Sequence, residues 1–217
     1  DRREIDQARD RIGIDLAGPT NREDTAVYTA AVDGEVLRTL DLGTGFDDAA
    51  LLAAIETWSD APVVGLDAPL SYQPGGGDRS GDRALRRHLK ERGLPGAVMA
   101  PTMTRMAYLT LRGIAVARLI LALRPRARIV ETHPGAHLVL AGAPAEAVAA
   151  MKSDARARRG LWSWFAAHGV DGLPERVPVD HEIAAVAAAR AARTWNAGGT
   201  AWCTPADPPL HPFDYCA

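Results

Sequence analysis

The dipeptide Asp33-Gly34, set between the stretches 25–32 and 35–42, constrains this chain more than any other feature. Both flanks are rich in β-favouring residues, and Asp-Gly suits the positive-φ turn of a tight hairpin. Just before it, Arg11-Ile-Gly-Ile-Asp-Leu-Ala-Gly18 reads as another strand. Ile12, Ile14 and Leu16 point to one side of that strand and Asp15 to the other. Beyond the hairpin the pattern changes. Helical spacing over 46–58 puts Leu51, Leu52 and Ile55 on one face, and a short apolar strand over 62–68 ends at Pro69. A Gly-rich loop over 73–81 leads into a basic helix over 82–92, an irregular connection over 93–104 and a helix over 106–123. A strand over 128–132 stopped by Pro134, helices over 145–152 and 155–168, a Pro-rich link, an Ala-rich helix over 180–195 and a short strand over 200–203 complete the chain. Three early strands followed by alternating helix and strand predict an α/β fold with a mixed sheet flanked by helices. The expected division is a flexible segment over 1–10, one domain over 11–203 and a Pro-rich tail over 204–217.

At 217 residues, 47% hydrophobic and 24% charged, the chain can bury a full core without disulfides. Its net charge of −2 gives no molecule-wide positive field, so any attraction for nucleic acid must be local. The apolar stretch 106–123 is interrupted by Arg112 and Arg118, which predicts a buried amphipathic helix and no membrane partner. The charged opening residues carry no leader pattern, so a cytoplasmic location is the expectation. Cys203 and Cys216 lack metal-ligand spacing and read as two ordinary thiols.

The chemistry lies in the acids. Asp15 stands in an apolar strand, Asp67 ends the fourth strand in Gly65-Leu-Asp-Ala-Pro-Leu70, and Glu131 ends the fifth in Ile129-Val-Glu-Thr-His-Pro134. Asp180 and Glu182 open the Ala-rich helix in Asp180-His-Glu-Ile183. A carboxylate on a buried strand is costly unless it is paired or bound to a metal. Taken singly, Asp67 suits a turn, Glu131 an edge position, Asp180 an N-cap and Glu182 the helix dipole. Taken together, and meeting at one sheet edge, the acids would form a set of hard oxygen ligands for Mg²⁺ or Mn²⁺.

The four motifs, in this order, resemble those of the DUF429 family, regarded as predicted nucleases with a ribonuclease-H-like fold. Asp82-Arg-Ala-Leu-Arg86 and Leu111-Arg-Gly-Ile114 are similar to its intervening helices. The resemblance implies that Asp15 and Asp67 lie on neighbouring strands and that Asp15, Asp67, Glu131 and Asp180 are catalytic metal ligands. It further implies hydrolysis of phosphodiester bonds between two metal ions, with Asp15 as the bridging ligand. Relatives often carry a further acid where this chain has Ala184-Ala185. His181 would move a proton or orient water, and Lys152 would offset phosphate charge. Arg83, Arg86 and Arg87 would either meet a phosphate backbone or form a solvated face balanced by Asp78, Asp82 and Glu91.

Gly75-Gly-Gly77 lacks the Gly-Lys-Ser/Thr ending of a phosphate loop. Trp162, Trp164 and Phe165, at helical spacing, read as core. Two alternatives stay open: a nucleotide-binding ATPase or kinase-like protein of the same core fold, and a catalytically inactive scaffold. The candidate substrates are DNA, RNA and a smaller phosphoester.

Overall fold

A computed structural model describes residues 10–94 and 96–217, so the segment 1–10 expected to be flexible lies, apart from Asp10, outside the described residues. Eight strands are described: β1 Arg11–Asp15, β2 Ala26–Asp33, β3 Val36–Thr44, β4 Val63–Asp67, β5 Arg128–Thr132, β6 Val170–Asp171, β7 Cys203–Thr204 and β8 Tyr215–Cys216. They form one sheet in the order β6-β3-β2-β1-β4-β5-β8-β7. The first three strands are antiparallel, and β4 and β5 run parallel to β1, as the sequence pattern requires. The hairpin turns where Asp33-Gly34 foretold it, with Asp33 paired to Val36 and Gly34 at φ +58°.

The helices are α1 Asp48–Thr57, α2 Ser80–Lys90, α3 Met106–Leu123, α4 Pro134–Leu140, α5 Ala145–Ala150, α6 Ala155–Ala167 and α7 Asp180–Asn196. Side-chain alternation sorts them into layers. Ile12, Ile14 and Leu16 pack with Leu51 and Ile55 of α1 and with Val116, Ala117 and Ile120 of α3. Leu52 lies outside that face and is solvent-exposed. The opposite face of the sheet lies under α7, which packs in turn against α4 and α6. Trp162 and Phe165 are buried there, as their spacing suggests.

The Ala-rich character of α7 follows from how closely it approaches the sheet. A Cβ on Gly13 would stand 1.9 Å from the carbonyl oxygen of Ala185, and one on Gly65 would stand 2.1 Å from that of Ala188. Gly13 and Gly65 face each other in the β1–β4 ladder. The pair therefore makes a side-chain-free patch on which the helix backbone rests. Two residues further along each strand, on the same face, come Asp15 and Asp67. Glycine spacing thus aims the start of α7 at the acids.

α3 is long and apolar enough to cross a membrane by length and composition. In the fold it rests on the segment after β4, where a Cβ on Gly113 would lie 2.9 Å from the Ala68 Cβ and the Pro69 carbonyl oxygen. Its buried Arg112 donates to Asp48 Oδ1 at 3.0 and 2.8 Å, to the Ala17 carbonyl at 2.6 Å and to Thr25 Oγ1 at 2.9 Å.

Several features differ from the sequence reading, among them a short strand β6 that it did not foresee and a β7 at Cys203–Thr204 rather than 200–203. Pro134 ends β5 but also occupies the first turn of α4, where its missing N–H costs nothing, and the His133 side chain caps that helix by accepting the Ala136 N–H at 3.1 Å. The stretch 204–217 is not simply a tail, because Tyr215–Cys216 adds β8 beside β5 and Ala217 exchanges backbone hydrogen bonds with Trp202 at 3.2 and 2.9 Å. Cys203 and Cys216 are not two ordinary thiols. They face each other across β7 and β8 and form a disulfide, a pairing fixed by strand register that linear spacing does not reveal.

Candidate functional site

Asp15 and Asp67 close β1 and β4 and are direct partners in the parallel ladder. Their carboxyl groups are within hydrogen-bonding reach of each other. Burial first, and then the charge of Asp15, push the Asp67 carboxyl well above its usual range, with Lys152 opposing. Two carboxyls so placed cannot both ionise cheaply unless positive charge joins them.

His181, in the first turn of α7, brings some of that charge. Its Nδ1–H donates to Asp15 Oδ2 at 2.6 Å. That hydrogen bond raises the imidazole pKa against the opposing effect of burial, and the charges of Asp15, Asp180 and Asp24 add to the rise. The ring Nε2 stands 3.8 Å from Asp24 Oδ1 and 4.0 Å from Asp180 Oδ1. The ring therefore sits among three acids that favour its charged form. Asp24 is the member that sequence reasoning missed. It lies on a single 3-10 turn, Arg22–Asp24, between β1 and β2. Arg112 fixes this turn by holding Ala17 and Thr25, and the Ala17 N–H donates to Thr25 Oγ1 at 3.2 Å. One acid in a polar loop carries no periodic signal; only the clamp brings it to the site.

Glu131 is placed differently from the other acids. It is 3% exposed. Both of its oxygens are engaged: Arg79 donates from Nη1 to Oε2 at 2.8 Å and from Nη2 to Oε1 at 2.5 Å, and the Leu70 N–H donates to Oε2 at 2.8 Å. Burial raises the Glu131 pKa and Arg79 holds it down. Asp82 accepts from the other edge of the same guanidinium at 3.0 and 2.8 Å. Ser71 Oγ accepts from Arg79 Nη1 at 2.9 Å and lies 2.7 Å from His211 Nδ1. Arg79 is thus the hub of a buried ionic network beneath the acids. In the sequence it is one residue of the Gly-rich loop over 73–81, with nothing to mark its partners.

A cavity of about 540 Å³ opens over this floor. Asp15, Asp67, Asp180, His181 and Lys152 all line it, and Glu131 borders it from within the Arg79 network. Arg83, Arg86 and Arg87 do not line it. Arg86 is held by Asp78 at 2.6 and 2.7 Å and by the Val98 carbonyl, Arg83 reaches the Asp78 carbonyl at 2.7 Å, and Arg87 is exposed on α2. Gly75, Gly76 and Gly77 form a turn at φ between +81° and +89°, also away from the lining. Glu182 has a structural place: it accepts the Val179 N–H at 2.9 Å and pairs with Arg176. Ala184 lines the cavity, whereas Ala185 is wedged against Gly13, so of these two positions only 184 has room for a longer side chain over the acids.

Cys203, Asp214 and Cys216 also bring potential ligand atoms within 4.8 Å of one another. The two sulfurs are bonded to each other, and Asp214 accepts from Trp195 Nε1–H at 2.7 Å and from the Ala206 N–H at 2.8 Å. That cluster is a strand anchor.

A family model described as "Protein of unknown function (DUF429)" matches residues 13–210, and the chain belongs to that family. Comparison with curated proteins gives no match, and neither does comparison with solved structures.

Proposed function

We propose that this member of the DUF429 family is a hydrolase of phosphoester bonds that depends on Mg²⁺ or Mn²⁺, held by Asp15, Asp67 and Asp180. One observation carries the reading: Asp15 and Asp67 pair at the ends of adjacent parallel strands, where burial and the charge of Asp15 hold the Asp67 carboxyl well above its usual range, a cost that a bound cation would remove. The donor set fits such an ion. All three are hard carboxylate oxygens, they border an open cavity, and the same cluster already favours positive charge on His181.

When bound, the cation would neutralise charge on a phosphoryl oxygen and lower the pKa of a coordinated water. The rest is the work of the chain. The β1–β4 ladder fixes the separation of Asp15 and Asp67, and the Gly13 and Gly65 contacts fix α7 over them. With Nδ1 tied to Asp15, His181 presents Nε2 toward Asp24 and Asp180, where it can hold or release a proton. Lys152 contributes a positive charge to the wall of the same cavity and complements a phosphate.

Glu131 is a positioning residue in this reading. Through the Leu70 N–H and Arg79 it fixes the turn that directly follows Asp67. The family resemblance counted it as a metal ligand; with both of its oxygens engaged, the remaining carboxylates suit one cation better than two. Nucleic acid remains a candidate substrate only through the same phosphoester chemistry.

The test is hydrolysis of bis(p-nitrophenyl) phosphate and of single-stranded DNA and RNA with Mn²⁺, with chelator, and with the Asp15→Asn variant. The reading expects at least one phosphoester to be cleaved only with metal, and a loss of at least about a hundredfold in the variant. No cleavage of any of them, or cleavage indifferent to Asp15→Asn, overturns it.

A further inference from the structure

We infer that the cavity admits a compact phosphoester carrying one organic group of about nucleoside size, and not a polynucleotide strand. This rests on the phosphoester reading of the acidic floor and names the substrate class of that site.

The first ground is shape. About 540 Å³ is the volume of a pocket for one small molecule, within the usual range of such sites. The second is the composition of the walls. Leu16, Met99, Met106, Leu109, Val148 and Met151 also line the cavity. The chain has four methionines, and three of them line this one cavity. Unbranched, polarisable thioethers mould themselves to a flat or irregular organic group. Met99 is 49% exposed, an apolar side chain held in solvent at the cavity lining.

The third ground is charge. Among the described residues that line the cavity, the groups able to be positive are Arg79, Lys152 and the histidines His133 and His181. Arg79 is committed to Glu131 and Asp82, and His181 to Asp15. His133 accepts the Ala136 N–H through Nδ1, its Nε2 faces the Ala97 carbonyl at 3.0 Å, and burial lowers its pKa. It is therefore a neutral ring. One lysine remains, enough to complement one phosphate. A strand needs a track of cations and a series of stacking platforms. The arginines of α2 do not line the cavity, and Tyr215, the lining residue with a phenol or indole ring, is buried beneath Arg79 at 5.1 Å from its ring centroid.

The test uses p-nitrophenyl thymidine 5′-phosphate as a small probe and oligothymidylate of about 20 nucleotides as the strand. Binding of each to the full chain is measured by calorimetry with and without Mn²⁺, alongside release of p-nitrophenolate. Variants are Met99→Asp at the exposed wall, Met106→Ala within it, and Arg87→Ala on α2 as a control. The inference expects saturable probe binding, weakened about fivefold or more by Met99→Asp with Mn²⁺ binding unchanged, and indifferent to Arg87→Ala. Tighter binding of the strand than of the probe overturns it, as does an affinity that falls with Arg87→Ala and not with Met99→Asp, or no probe binding under either condition. Failure of Mn²⁺ to bind would instead remove the hydrolase reading. Probe binding to the metal-free protein, and its response to Met99→Asp, would then still decide the character of the pocket.

Discussion

Replacing Asp67 by Asn should make the metal-free protein more stable, and increasingly so as the pH rises. The Asp67 carboxyl is pushed above its usual range by burial and by the adjacent Asp15. Below the ordinary aspartate pKa of about 3.9, folded and unfolded chains both hold the proton, and the group has no net effect on stability. Above that value the unfolded chain ionises while the folded one does not. Stability is then lost at about 1.4 kcal/mol per pH unit, until the pH passes the folded pKa. For a domain of this size each kcal/mol is worth roughly 2–4 °C, so the wild-type melting temperature should fall relative to that of Asp67→Asn by about 3–6 °C per pH unit across that window. An amide at position 67 stays neutral and can still donate to Asp15. Adding Mn²⁺ should narrow the gap. At a hundred times its dissociation constant the ion would stabilise the wild type by about 2.7 kcal/mol, and the variant by much less. Thermal unfolding followed by circular dichroism between pH 4 and pH 8, with chelator and then with Mn²⁺, reads both effects. Parallel melting curves for the two proteins across the pH range would refute the reasoning, as would an equal response to Mn²⁺.

Removing the hub of the buried network with Arg79→Leu should cost about 3–5 kcal/mol in urea unfolding, because Glu131 and Asp82 lose their shared cation; Arg79→Lys should recover only part, since one ammonium cannot serve both carboxylates as the guanidinium does. Gly13→Ala and Gly65→Ala put a methyl carbon about 2 Å from helix carbonyls and should each destabilise by about 3 kcal/mol or more, or abolish soluble expression; a loss under 1 kcal/mol would contradict the close approach of α7. His181 should titrate above the ordinary histidine value in proton NMR and fall back toward it in Asp15→Asn; a wild-type value at or below 6.5 would contradict the pairing. Its stabilising contribution is full below that ordinary value and fades as the pH rises through the folded one. Breaking the Cys203–Cys216 link, which closes a separation of 13 residues, by Cys203→Ala should cost about 3 kcal/mol in chemical unfolding.

Much of the fold was legible because its signals are local. Asp33-Gly34 announced the hairpin, and the apolar strand around Asp15 announced a buried acid. Strand β4, strand β5 and helix α3 have the pattern of their own residues. Glycine spacing was legible in principle as well: Gly13 and Gly65 each precede an acid by two residues, which puts glycine and acid on one face of the sheet. What could not be read were the long-range partners. Arg79 sits in a Gly-rich loop 52 residues before Glu131, and only the fold brings the two together. Asp24 depends on Arg112, a residue of another helix. The pairing of Cys203 with Cys216 depends on the register of two short strands, each only two residues long. For Arg86 the sequence left open a phosphate contact or a balance by Asp78, and the fold pairs it with Asp78.

Anomalous diffraction from a crystal soaked in Mn²⁺ tests the central claim most directly. The account predicts a peak bound jointly by the carboxylates of Asp15 and Asp67, with Asp180 beside it and Glu131 still held by Arg79, and no peak in Asp15→Asn. Density elsewhere, or a wild-type crystal that takes up no ion between those two strands, would contradict it.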